Sequence, residues 1–421
     1  MDTIPLLLGK KIVLGVTGSI AAYKAAELAS HLTQAGALVD VVLTPAAARF
    51  VTPLTFQSVT GRPVHTDLWA AGGAFTVKPA AGAEAHIVHV GLGEAADLLV
   101  IAPATADTIA KLAMGLADSL ITVTALAARC PVLVAPAMDG GMYMHPATQA
   151  NLQVLADRGV TLLGPAEGRM ASGLVGRGRL LEPDEILGHI RLALARDGAL
   201  AGRHVVVSAG GTQEPIDPVR FISNRSSGKQ GYALAQSALD RGAQVTLVAG
   251  PNPLPAPIGA HLVRVQTAEQ MAQAVLAASA EADVLLMAAA VADFRPARVA
   301  EHKLKKTAVP EIQLEKTIDI LSAVAEARDT SPAKRPTVMV GFAAESQNLI
   351  ENASEKVRRK RLSLIAANDI SATDAGFSVD TNRVTLIDAR GGVEELPLLT
   401  KTQVAEIVLT RVEKILTQQT W

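Results

Sequence analysis

The sequence predicts an α/β chain of two domains, each a mainly parallel sheet covered by helices in three layers. Three observations lead there. The 421 residues exceed the span over which a single hydrophobic core normally grows, so two domains of roughly 200 residues are expected. The composition is 49% apolar with only 3% aromatic residues, an Ala/Val/Leu-rich mixture suited to helices packed on a buried parallel sheet. Short apolar runs also alternate with stretches of helical periodicity, and both halves of the chain open in the same way.

The first opening is KKIVLGVTG at 10–18, a basic start and an apolar run ending in glycine, followed by SIAAYKAAELASHLTQAG with helical spacing. It reads as strand, tight loop, helix. Further strands are expected at 38–43, 97–102, 131–136 and 160–163, with helices between them. After the break RDGALAG at 196–202 the grammar restarts with RHVVVSAGG at 203–211 and a helix near 228–241. Strands follow at 244–249, 261–265, 283–288, 337–342 and 363–367, with a helix at 348–361. RVTLID and VEELPL flank Arg390-Gly391-Gly392, a hairpin signal, before a closing helix. The domains are accordingly placed at 1–190 and 191–421.

Charge narrows the function classes. With 39 basic and 40 acidic residues, the formal net charge of −1 provides no whole-protein field for nucleic acid or an anionic membrane, so any phosphate site must be local. The longest uncharged stretch, 242–263, contains Pro251, Pro253, Pro255 and Pro257 and is not a spanning helix. The opening MDTIPLLLGKK, acidic at its second residue, is unlike a signal peptide, and a cytoplasmic location is expected. A single cysteine, Cys130, excludes an intrachain disulfide and reads as a small core residue before a buried strand.

In a parallel α/β sheet ligands bind beyond the carboxyl ends of the strands, and the unusual segments lie there. Gly18-Ser19 falls between the first strand and its helix, where close backbone approach and free N–H groups suit a phosphate; without a full G-x-G-x-x-G, a mononucleotide fits better than a dinucleotide. Thr44 ends the second strand. Ala102-Pro103-Ala104-Thr105-Ala106-Asp107-Thr108 puts two hydroxyls and a carboxylate at a helix start, a pattern that also makes an ordinary N-cap. The next strand ends in Pro136-Ala137-Met138-Asp139-Gly140-Gly141-Met142-Tyr143.

Together with the segment Ala85-His86-Ile87, these residues resemble the flavoprotein family of FMN-dependent cysteine decarboxylases over about residues 8–185. The resemblance implies a Rossmann-like, flavodoxin-like fold, with FMN held by Gly18, Ser19, Thr44, Thr105 and Thr108. It implies His86 as the active-site histidine, with His89 a near rival, and Asp139 and Met142 at the substrate. A histidine near neutrality suits removal of a thiol proton while the flavin serves as electron sink for decarboxylation. Two positions depart from the family. Asp139 stands where most members have Asn, so either it is protonated through burial and like charge, or another group binds the substrate carboxylate. In AEGRMASGLVGRGRLLEP, similar to the family's substrate-covering flap, Ser172 occupies the position of a proton-donating cysteine.

In the second half, SAGGTQEPIDPVRFISNRSSGKQG at 208–231 is a long polar loop inside an α/β domain, a feature usually functional. With Ala289-Ala290-Val291-Ala292-Asp293-Phe294, Lys303-Leu304-Lys305-Lys306, Gly341-Phe342-Ala343-Ala344-Glu345 and Ala367-Asn368-Asp369 following in order, it resembles the phosphopantothenate–cysteine ligases over about residues 200–415. The resemblance implies CTP bound by Asp293, Lys303, Phe342, Lys356 and Lys360, and an acyl-cytidylate stabilised by Asn224. Mg²⁺ would accompany the leaving pyrophosphate, with no metal ligand assigned. Lys356 and Lys360 stand at i and i+4 beside Arg358, Arg359 and Arg361, a like-charge row that a polyphosphate would relieve, with a merely exposed basic face as the alternative. Lys316-Thr317-Ile318-Asp319 departs from the family's Lys-Asn-Pro-Asp.

The joint expectation is a coenzyme A biosynthesis enzyme that ligates cysteine to 4′-phosphopantothenate with CTP and then decarboxylates the product on FMN. It would assemble as a homo-oligomer, with trimeric flavin domains and dimeric ligase domains. Two other readings of the first half stay open: a decarboxylase that releases an unreduced enethiol, and a flavin-binding regulatory module like the family's non-catalytic relatives.

Overall fold

Six apolar runs of the first half form one parallel sheet. They are β1 (Lys11–Val16), β2 (Leu38–Leu43), β3 (Val64–His65), β4 (Leu98–Ala104), β5 (Val132–Pro136) and β6 (Thr161–Leu162), in the spatial order β3-β2-β1-β4-β5-β6. The computed structural model describes residues 3–69, 87–305, 311–345, 347–369 and 380–418, and the chain divides into two units, Met1–Leu194 and Ala195–Trp421. Every residue of β4 is buried, as a strand covered on both faces requires.

Helices cover both faces of this sheet. They are α1 (Ala22–Gln34), α2 (Pro53–Thr60), α3 (Val88–Ala95), α4 (Ala106–Met114), α5 (Leu120–Ala127), α6 (Gly140–Met144), α7 (Pro146–Asp157) and α8 (Pro183–Leu194). On α1 the buried Ala22, Ala25, Leu28, Ala29 and Leu32 recur at three- and four-residue steps, the spacing that turns one helical stripe inward. Together with Ile186 and Ile190 of α8 they pack on Ile12 and Leu14, while Ile109, Ile121 and Leu152 pack the other face against Val13 and Ile101. An antiparallel hairpin of β7 (Ala166–Arg169) and β8 (Val175–Arg179) follows β6.

The second unit repeats this arrangement with a different ending. The strands β9 (His204–Ala209), β10 (Gln213–Pro215), β11 (Phe221–Ser223), β12 (Gln244–Ala249), β13 (His261–Arg264), β14 (Val284–Met287), β15 (Phe294–Pro296), β16 (Leu314–Lys316), β17 (Val338–Glu345), β18 (Leu364–Asp369), β19 (Thr381–Asn382), β20 (Val384–Asp388), β21 (Val393–Glu395) and β22 (Leu399–Thr400) alternate with α9 (Lys229–Leu239), α10 (Ala268–Ser279), α11 (Ile320–Thr330), α12 (Leu349–Arg359) and α13 (Lys401–Gln418). Eight of them form the sheet β13-β12-β9-β14-β17-β18-β20-β21. Pairing is parallel as far as β18, then antiparallel through the hairpin at Gly391. Helices α9 and α13 cover one face and α10, α11 and α12 the other. Each unit is therefore a three-layer α/β structure with a mainly parallel sheet.

The short pairs β7–β8, β10–β11, β15–β16 and β19–β22 lie outside the expected strands, because two to five residues carry too little alternation to distinguish a strand from a loop. The expected helices 228–241 and 348–361 are shorter, Lys229–Leu239 and Leu349–Arg359, as helix ends are the least legible part of a periodic pattern. The boundary follows the last turn of α8 at Leu194.

Leu286 sits fully buried in central β14. Leu286→Ala is expected to destabilise the second unit by about 2–5 kcal/mol, the usual cost of truncating a packed leucine, read as a lower denaturant midpoint. A midpoint unchanged from that of the parent chain would contradict the assigned core.

Candidate functional site

In the first sheet the chain leaves β1 toward β2 and β3 on one side and returns to β4 on the other. The crevice between β1 and β4 is the topological switch point where α/β sheets bind ligands. The structure gathers the expected residues around it. Thr17 donates its hydroxyl proton to Pro103 O at 2.7 Å and accepts from Thr105 N–H at 3.0 Å, stitching the β1 and β4 loops together. Gly18 meets the β2 loop so closely that a Cβ there would lie 2.4 Å from Ala46 Cβ, so a larger residue would push these loops apart.

Ser19 Oγ accepts from Ala21 N–H at 3.2 Å, and Thr44 Oγ1 accepts from Ala47 N–H at 3.1 Å. Thr105 is the N-cap of α4, accepting from Thr108 N–H at 3.4 Å, with the two hydroxyls 3.2 Å apart. The plain reading of that pair as a helix cap is thus correct, and it puts both residues in the first turn of the helix that follows β4. His86 and Lys306 lie outside the described residues; His89, on α3, is half-buried. Cys130 is also half-buried, and burial raises its thiol pKa, as expected of an inert packing residue.

At Asp139 the geometry speaks against the first of its two alternatives. Rather than being raised by burial, its carboxyl is held below the ordinary carboxylate range, first by the Ser172 hydroxyl and then by Gly141 N–H. Ser172 Oγ donates to Asp139 Oδ2 at 2.6 Å, while Gly141 N–H donates to Oδ1 at 3.0 Å as Asp139 caps α6. The ionised form is the one this site stabilises. Met142 lies exposed on the same short helix.

The second sheet has its own switch point, between β9 and β14. There Ala290 N–H donates to Gly210 O at 2.8 Å and Ala292 N–H to Thr212 Oγ1 at 3.0 Å. Thr317 Oγ1 donates to Ala292 O at 2.6 Å, holding the Lys316–Asp319 loop against the same turn. Over these ends opens a cavity of about 540 Å³ lined by Asn224, Asp293, Phe342, Lys356 and Lys360 among others. Five residues expected at one ligand, drawn from four separate segments, therefore share one wall.

Asn224 is not a cap of its own turn. Its Nδ2 donates to Val291 O at 2.9 Å, tying the polar loop to the β14 end. Lys360 lies just beyond α12 and donates to Asp319 Oδ1 at 3.0 Å, so the expected like-charge row is already balanced at that end. Lys303 does not line the cavity. Its neighbour Leu304 is gripped instead: buried Asp217 accepts from Leu304 N–H at 3.2 Å, and Arg220 donates to Leu304 O at 3.1 Å. Arg220 also donates to Asp217 and, with the surrounding N–H groups, keeps that carboxyl far below the ordinary range.

Sequence reasoning missed one part of the cavity wall. Lys229 pairs with Asp380 at 2.5 Å, and Lys401, buried at the start of α13, has its pKa lowered by burial and then by Lys229. Asn382 donates to Gln230 Oε1 at 3.0 Å. Its own Oδ1 and that of Asn368 are buried without a partner, which costs free energy until a donor arrives. No local signal marks Lys401 or Asn382, because the fold brings them from more than 150 residues beyond Lys229. Among the described residues no group of three His, Cys, Asp or Glu is disposed to hold a metal ion, and no helix is long and apolar enough to cross a membrane.

The chain is an α/β protein of two units, with hydroxyl-bearing loops at the switch point of the first sheet and a lysine-lined cavity at that of the second. Residues 6–194 match the flavoprotein family and residues 200–416 the DNA/pantothenate metabolism flavoprotein C-terminal domain. The chain is 43% identical over 411 residues to the coenzyme A biosynthesis bifunctional protein CoaBC of Bacillus subtilis, covering 97% of each. It is 45% identical to that of Vibrio cholerae over 96% of this chain and 98% of the other. A crystal structure of the C-terminal domain of such a protein aligns at 40% identity over 53% of this chain and all of that one, with a TM-score of 0.45. The chain belongs to the family of bifunctional coenzyme A biosynthesis proteins.

Asp217→Asn is expected to release the Leu304 segment, raising trypsin cleavage after Lys303 or Lys305 severalfold. Because the folded carboxyl ionises below its unfolded value, its stabilisation is present above the ordinary carboxylate pKa and is lost only as pH falls through the lower folded value. Protection of the Leu304 amide, read by hydrogen exchange, should therefore persist at pH 4 in the parent chain; equal exchange of that amide in parent and variant there would contradict the clamp.

Proposed function

We propose that the second unit joins cysteine to 4′-phosphopantothenate with CTP and that the first unit decarboxylates the product to 4′-phosphopantetheine. The observation that carries the reading is the cavity over β9 and β14, where Asn224 and a set of lysines converge in a chain whose two halves both match this family. Lysines 229, 316, 356, 360 and 401 outnumber Asp293 and Asp319 on its wall, a balance that favours a polyanion. The orphaned oxygens of Asn368 and Asn382 fit a ligand that brings N–H donors.

In the ligase half the phosphopantothenate carboxylate attacks the α-phosphate of CTP, forming the acyl-cytidylate and releasing pyrophosphate. The cysteine amine then attacks the acyl carbon and CMP departs. Lys356 and Lys360 hold phosphate oxygens, the latter in exchange for its bond to Asp319, and Phe342 and Asp293 border the nucleotide. Lys303 approaches from the Leu304 segment held by Asp217. Asn224, already fixed through Val291 O, is a neutral donor for charge on the acyl group. Mg²⁺ would accompany the triphosphate and offset its charge, with no residue of this chain assigned to hold it.

In the first unit, Gly18, Ser19, Thr44, Thr105 and Thr108 would hold FMN. They fit it: their hydroxyls come from three neighbouring strand ends, and α1 has no side-chain cap competing for a phosphate. Bound there, FMN supplies the electron sink that loss of CO₂ from this carboxylate requires. His86 takes the thiol proton, a role assigned on the sequence pattern alone. The exposed Ile20 and Tyr23 beside that loop suit burial in a homo-oligomer, and a cytoplasmic enzyme acting on small molecules is the setting proposed.

Phosphopantothenate labelled with ¹⁸O in its carboxylate tests the ligase reading: one labelled oxygen should appear in CMP. Asn224→Ala is expected to lower kcat by about 10²-fold, the scale for losing one such donor, whereas Lys356→Ala should mainly raise KM for CTP. Unlabelled CMP would rule out the acyl-cytidylate.

A further inference from the structure

The two positions at which the first unit departs from its family, Asp139 and Ser172, lie 33 residues apart and hydrogen-bond to each other at 2.6 Å. The bond joins the β7–β8 hairpin to the start of α6. It does not stand alone: Met138 N–H donates to Gly178 O at 3.0 Å, and Gly140 N–H approaches Met170 Sδ at 3.1 Å. Gly178 has φ 153°, and a Cβ on it would fall 2.3 Å from Met138 O, so the hairpin can seat here only with glycine at that point.

We propose that Asp139 and Ser172 form one positioning pair that latches the hairpin across α6 and sets the direction of the Ser172 hydroxyl. The role in decarboxylation rests on the function proposed above; the latch itself does not. A hydroxyl donating to a carboxylate makes a short, charge-assisted bond, stronger than one between neutral groups. With its proton committed to Asp139, the Ser172 oxygen presents only lone pairs to anything else. Chemistry also dictates which residues can be exchanged. A carboxylate beside a thiol gains only a weak donor and opposes thiolate formation; an amide beside a hydroxyl loses the charge that strengthens the bond. An amide with a thiol restores compatibility, because the amide N–H can donate to sulfur. Carboxylate–hydroxyl and amide–thiol are therefore the matched pairs, and each single exchange is mismatched.

The test compares the full-length parent chain with Asp139→Asn, Ser172→Cys and the double variant. Trypsin cleavage after Arg169, Arg177 and Arg179, without substrate, reports the latch. Each single variant should be cut severalfold faster and the double variant slower than either, a non-additivity of about fivefold or more that contacting groups commonly reach. Alkylation at position 172, mapped by mass spectrometry, should show a midpoint about one pH unit or more higher in Ser172→Cys than in the double variant, since only the former sets the thiol beside a carboxylate. In decarboxylation the singles should lose kcat at nearly constant KM and the double should recover it. Additive cleavage, coincident alkylation midpoints, or a double variant no better than the worse single would each overturn the pair. A parent chain that fails to decarboxylate at all would remove the functional reading while leaving the first two measurements decisive for the latch.

Discussion

Everything in this chain depends on the parallel alignment of its strands. In the first sheet β1 runs parallel to both β2 and β4, with Gly15 opposite Val42 and Ile101. In the second, β9 stands in the same way between β12 and β14. Because parallel neighbours all finish on one edge, loops far apart in sequence are delivered to one line of space. The reversal of strand order leaves a crevice at the middle of each sheet. Burial on both faces enforces the alignment: β1, β4, β9 and β14 are almost wholly apolar and would expose their cores if they slipped.

The two crevices then diverge through what their loops carry. The first is lined by hydroxyls that cap turns and one another, a neutral rim with glycine at its narrowest approach. The second carries lysines, two of them already paired with Asp319 and Asp380, and buried amide oxygens without partners. One architecture thus supports two chemistries because the scaffold fixes where side chains arrive while the loops choose which ones arrive.

Much of this was legible in the sequence because it is periodic or local. Most strands of both sheets announced themselves as short apolar runs, the two-residue β3 being too short to do so, and the loop motifs fall at their carboxyl ends. Asn224, Asp293, Phe342, Lys356 and Lys360 could be gathered in advance because each sits in a compact motif. What stayed hidden depends on distance. Lys401 and Asn382 reach the cavity from the last segment of the chain, and Asp217 reveals its grip on Leu304 only once the polar loop folds into a hairpin. The two alternatives for Asp139 could not be separated for the same reason: its ionisation depends on Ser172, and nothing local in the sequence puts those two side chains in contact.

The central claim is that one chain performs both the joining and the decarboxylation. It is tested most directly by supplying the purified full chain, under anaerobic conditions, with 4′-phosphopantothenate, cysteine, CTP and Mg²⁺ and identifying the products by mass spectrometry. The account predicts repeated turnover to 4′-phosphopantetheine with release of CMP, pyrophosphate and CO₂. Accumulation of phosphopantothenoylcysteine would contradict it and leave the ligase as the only activity standing, while a product two hydrogens short would contradict it by showing oxidative decarboxylation without the reductive step.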